Sequence, residues 1–130
     1  MNPGRVTLIA VLLLASCAPA RNAVPGDYNP SIISEYELGT SSTRTAYDAI
    51  RRLRPNFLNY QPQTSISNPT PPVPVVYVDE QFVGDLNVLN QLLVSQIESI
   101  SFYKPPEAMI KYGTNRTGGV IAVALKKQIP

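Results

Sequence analysis

The sequence predicts an α+β domain, a small mixed β-sheet with short helices packed on it. Three observations carry that prediction. Two runs, "VVYV" at Val75–Val78 and "VIAVAL" at Val120–Leu125, are rich in β-branched residues and have the composition of buried strands. Ahead of Pro55, residues Ala46, Ile50 and Leu53 recur at i, i+4 and i+7, which places them on one face of a helix. The elements are short and are separated by stiff connections, with 13 Pro against 7 Gly. A chain of 130 residues with 44% hydrophobic and 15% charged residues suits one folded domain and not a disordered chain.

Taken in order, "SIISEYEL" supplies a strand at Ile32-Ile33 and then a turn of helix that Gly39 is expected to break. Thr40, Ser41, Ser42 and Thr43 offer hydroxyls to cap the amides of the next helix. Pro55 ends that helix, because Arg54 before it is biased out of the helical region. Arg51 and Arg52 then point outward near its C-terminus, where the backbone dipole favours positive charge. They form either a solvated face or a small basic patch for an acidic partner. Residues 59–74 carry five Pro among Ser, Thr and Asn. They read as a loop with one edge strand at Thr64–Ser67 and with Tyr60 as a candidate contact.

After Val75–Val78, the run Asp79-Glu80-Gln81 turns the chain and Phe82-Val83 pairs back, as far as Gly84. Asp85 is placed to cap a helix bearing Leu86, Leu89 and Leu92-Leu93. Ser99–Tyr103 reads as a strand, followed by a short helix from Pro105 or Pro106. Glu107 suits the positive end of that helix, and Gly113 suits the left-handed position past its last turn. Val120–Leu125 is the last strand, which the polar Lys126 and Lys127 terminate.

The composition also limits chemistry. A net charge of +2 gives no electrostatic footprint for nucleic acid. With no His and a single Cys, the usual general base is missing and only one thiol is present. Asp79, Glu80 and Asp85 have turn and cap duties and do not offer the ligand number a metal needs. The expectation is no enzyme, no metal and no cofactor. Gly113 and Gly118 have the spacing of a phosphate-binding loop, but Gly119-Val120 stand where Lys and a hydroxyl residue are required. The context is also helix–loop–strand, so no helix N-terminus would face a phosphate. The three glycines, Gly113, Gly118 and Gly119, are therefore assigned to turns, with Asn115 and Arg116 as candidate contacts at the loop tip.

The N-terminal stretch reads differently. Residues 1–16 combine Arg5 with an apolar run from Val6 to Ala15, the proportions of a signal-peptide core and too short to span a bilayer. The run ends in Leu14-Ala15-Ser16-Cys17, which resembles the bacterial lipobox. That resemblance implies cleavage before Cys17 and its acylation. The other reading is an ordinary secretory site at Ala18-Pro19-Ala20, with Cys17 left as a free thiol. Ala18 after the cysteine implies, by resemblance to Gram-negative lipoproteins, an outer-membrane destination facing the periplasm. Residues 17–30 then form a Pro-rich tether, and residues 31–127 form the domain.

The C-terminal half resembles the plug domain of TonB-dependent outer-membrane receptors. The resemblance rests on Val75–Asp79, the segment Ile97-Glu98-Ser99-Ile100, the pair Tyr112-Gly113 and the run Gly118–Ile121, in that order. "AYDAIRRLRPNFL" is similar to the helix that opens many plugs. Lys104-Pro105-Pro106 stands where plugs carry Lys-Gly-Pro. No barrel follows within these residues, so the expectation is a free-standing plug-like lipoprotein domain. Its expected role is to bind an envelope protein, such as a β-barrel or a transport component. The alternative is a lipoprotein that binds a small ligand, a siderophore or a sugar.

Overall fold

The computed structural model describes residues 28–59 and 72–129. The expected signal peptide, Cys17, Tyr60 and the strand at Thr64–Ser67 lie outside the described residues. Within them the chain forms an α+β fold, as expected. Five strands, β1 (Ile32–Ser34), β2 (Val75–Val78), β3 (Gln81–Gly84), β4 (Ile97–Tyr103) and β5 (Val120–Leu125), form one sheet in the order β1-β4-β5-β2-β3. The sheet is mixed: β2 and β5 run parallel and the other neighbours are antiparallel. Three helices pack on it, α1 (Glu35–Thr40), α2 (Ala46–Leu53) and α3 (Pro105–Tyr112).

Strand alternation divides the side chains between two faces. Ile33, Val76, Ile100, Phe102, Ile121 and Val123 point to one face and meet Leu38 of α1 and Ala46, Ala49 and Ile50 of α2 in the main core. Phe57, in a 3-10 turn after α2, stacks on Phe102 with ring centroids 5.1 Å apart and fixes the end of α2 to the sheet. Tyr77, Val120, Val75, Ala122 and Tyr103 point to the other face, where Ala108 and Tyr112 of α3 cover part of them.

The local chemistry corrects several expectations. Gly39 does not break α1, which runs on to Thr40. The cap of α2 is Thr45, whose hydroxyl accepts from the Asp48 amide at 3.3 Å, and not a member of Thr40–Thr43. Thr40 and Ser41 instead turn back and donate to carbonyls of α1. Asp85 does cap, accepting from the Asn87 amide at 3.1 Å, but the chain beyond it forms 3-10 helix at Leu86–Asn90 and again at Val94–Gln96. An α-helix there loses to tertiary pairing: the Ala46 amide donates to the Leu92 carbonyl at 2.8 Å, and the Val94 amide to the Arg44 carbonyl at 3.0 Å. Leu89 is buried, whereas Leu93 is exposed. β4 begins at Ile97, two residues early, because Ile97 is buried opposite Leu125 across a bulge.

A part-buried ion pair lies at the edge of the main core. Arg54, at the end of α2, donates to Glu37 Oε1 at 2.8 Å and to the Leu53 carbonyl at 3.0 Å. Glu37 also accepts from the Ser34 amide, completing a capping box for α1. Burial works against the ionised Glu37 carboxylate. The Ser34 amide and the Arg54 guanidinium outweigh it and hold its pKa below the ordinary value.

Candidate functional site

The face that carries α3 brings Glu80, Tyr103, Lys111 and Tyr112 together, and the β2–β3 hairpin builds one wall of it. Its turn is the pair Asp79-Glu80, with φ of 46° and 69°. Positive φ at both positions matches the twist of a two-residue hairpin, and sequences usually meet that need with Asn-Gly. Asp tolerates the left-handed region, but Glu80 is held there at a cost of about 1 kcal/mol. Asp79 is fixed against β5 by two bonds. Its amide donates to the Val123 carbonyl, and its Oδ1 accepts from the Leu125 amide, both at 3.0 Å. Glu80 then reaches across to α3.

Lys111 receives it. The Lys111 ammonium lies 3.3 Å from Glu80 Oε1 and donates to the Tyr103 hydroxyl at 3.1 Å. It also lies 4.7 Å from the Tyr103 ring centre and 5.2 Å from that of Tyr112. The bond to Tyr103, more than any other partner, raises the Lys111 pKa above its ordinary value, so the ammonium is a fixed charge. Tyr112 stands between Tyr77 and Tyr103, with ring centroids 4.3 and 5.6 Å away. Its hydroxyl is buried and makes no hydrogen bond among the described residues. Burial raises its pKa, against the opposing effect of the neighbouring Lys111 charge. Glu80, Tyr103, Lys111 and Tyr112 line a groove of about 390 Å³, open along one side, together with Ser101, Ala122 and Ala124.

The glycine loop closes the other end of this face, and each glycine has its own reason. Gly113 ends α3 with φ 89° and ψ 172°, not the left-handed helical position expected but a region open essentially to glycine alone. Gly118 is needed for close approach: a Cβ there would run into the Val73 carbonyl and come within 2.9 Å of the Pro74 nitrogen. Gly119 combines φ 86° with a Cβ position 2.7 Å from the Tyr103 carbonyl oxygen. Arg116 is half-buried and not a free loop tip. Its Nε and Nη2 donate to the Tyr77 hydroxyl at 3.1 and 2.8 Å, and its guanidinium packs over the Tyr77 and Phe82 rings. Asn115 beside it is exposed, with φ 76°.

The remaining candidates lie elsewhere. Arg51 and Arg52 are exposed on α2, on the opposite side of the sheet, so they do not join Arg116 in one surface. The sequence reading missed the set Tyr77, Tyr103, Lys111 and Tyr112. Two weak signals could have found it: Tyr103 lies on the same strand face as Ser101, and Tyr112 lies four residues after the buried Ala108. Among the described residues, no group of three or more His, Cys, Asp or Glu is placed to hold a metal ion.

The sheet ends at β1 on one side and at β3 on the other, and the β3 edge is a second feature able to engage a partner. Among the described residues β3 pairs only with β2, so its outer backbone groups can pair with another strand. The strand reads Gln-Phe-Val-Gly, with none of the Lys or Pro that usually guard an edge. Phe82 is 57% exposed and Val83 46%. Comparison with protein-family models, curated proteins and solved structures finds no match for the chain.

Proposed function

We propose that the protein is a non-catalytic, plug-like interaction module. It is anchored through an acylated Cys17 to the outer membrane, faces the periplasm, and binds another envelope protein by strand addition at β3. The exposed β3 edge, short and bulged at Val83 but free of Lys and Pro and bearing exposed Phe82 and Val83, is the observation that carries this reading. An extended segment pairing there would gain main-chain hydrogen bonds and would cover Phe82 and Val83. The partner class is a β-barrel or transport component, following the plug resemblance.

The test is crosslinking in intact cells followed by purification of the tagged protein, comparing wild type with Val83→Lys. A charge on the edge opposes pairing, so the reading expects a reproducible partner in wild type and its loss in the variant. An identical set of partners in both would contradict strand addition. Cys17→Ser should move the protein from the membrane fraction to the soluble fraction. Unchanged fractionation would remove the anchor from the proposal.

A second reading, a small-ligand lipoprotein for a siderophore or sugar, is favoured by the groove at Lys111. A strained turn, an unpartnered buried hydroxyl and aromatic walls are found together there. A ligand held there would raise thermal stability by mass action, whereas a purely protein-binding module would show no small-molecule shift.

A further inference from the structure

We infer that the C-terminal end of α2 is the membrane-facing surface of the domain, where Arg51 and Arg52 dock on anionic lipid headgroups. The inference rests on the lipid-anchor reading and adds an orientation to it. Its first support is where the chain enters the domain. Tyr28 follows Cys17 by eleven residues, a stretch that reaches at most about 40 Å when fully extended. The Tyr28 ring lies 4.8 Å from the Arg54 guanidinium, so the entry point is held against the residue that caps α2. The last turn of α2, which carries Arg51 and Arg52, is thus beside the point from which the anchor runs.

The second support is charge. Arg51 and Arg52 are exposed and enter no ion pair among the described residues. Glu37 is already paired with Arg54, and Asp48, which keeps its charge while accepting from the Thr45 hydroxyl at 3.0 Å, offsets only one of the two arginines. The exposed end of α2 is therefore net positive next to the tether. Basic residues near an anionic surface each strengthen binding by about fivefold, and an acyl anchor combined with a basic patch holds better than either alone. Docked in this way, α2 would face the bilayer. The α3 face, on the other side of the sheet, would face away from it.

The experiment uses the purified acylated full chain on vesicles of phosphatidylethanolamine, with or without phosphatidylglycerol. A cysteine introduced at Asn56, exposed just beyond α2, carries a fluorophore read by an aqueous quencher. A second label at Ile110, 88% exposed on α3, is the control. Anionic vesicles should lower quenching at position 56 severalfold and leave position 110 unchanged. Arg51→Gln with Arg52→Gln, both at exposed positions, should abolish that protection while the chain still floats with the vesicles. Equal quenching at position 56 on both vesicle types, or protection that survives the double substitution, overturns the orientation while the anchor stands. A chain that floats with neither vesicle overturns the anchor and this inference with it.

Discussion

Glu80 and Lys111 meet at 3.3 Å across the α3 face, and the carboxylate is brought there by a residue in a strained left-handed conformation. The pair is largely exposed, so its own contribution is a few tenths of a kcal/mol. The backbone strain at Glu80 is the larger quantity. Glu80→Gly should therefore raise stability by about 0.5–1 kcal/mol even though it deletes the ion pair. Urea denaturation checks this, and a loss of stability would mean that the contact outweighs the strain.

The Glu37–Arg54 pair makes the opposite prediction. Both side chains are mostly buried, so Glu37→Gln removes the countercharge of a guanidinium that keeps only the Leu53 carbonyl, the Tyr28 ring and a neutral amide, and should lower stability by about 1–3 kcal/mol at neutral pH. The pH dependence follows from the lowered pKa. The contribution is fully present above about pH 4.5, the ordinary glutamate value, and is lost as pH falls through the lower folded-state value. Wild type should thus lose more stability on acidification than Glu37→Gln does. Parallel curves for the two proteins would show that the pair is not the titrating element.

Three glycine substitutions should separate by cause. Gly118→Ala drives a methyl group into the Val73–Pro74 backbone and should destabilise by about 3 kcal/mol. Gly113→Ala meets no atom but keeps a φ of 89°, which costs about 1–2 kcal/mol. Gly39→Ala, inside α1 with open space around it, should stabilise by about 0.5 kcal/mol. Thermal or urea unfolding gives the order, and equal effects at positions 118 and 39 would contradict the packing described.

Legibility in the sequence followed the range of the interactions. Val75–Val78 and Val120–Leu125 were readable to the residue because composition alone marks a buried strand. α2 is readable from its apolar spacing and from Pro55, but the run of hydroxyls from Thr40 to Thr45 does not reveal which of them caps it. The segment after Asp85 was not readable, since leucine spacing fits a helix while backbone pairing with residues 44–46 imposes 3-10 turns. The groove was equally hidden. It depends on Glu80, Tyr103, Lys111 and Tyr112 meeting from three elements, and no local pattern encodes that meeting. The loop position of Arg116 suggests a contact residue, but its bond to Tyr77 spans 39 positions and has no sequence signal.

The most direct measurement places a photo-crosslinking residue at position 83 on β3 in intact cells, with position 110 on α3 as its comparison. The account predicts one reproducible protein adduct at position 83, absent at position 110. Adducts at position 110 alone, or none at position 83 at native expression, would contradict binding at the β3 edge.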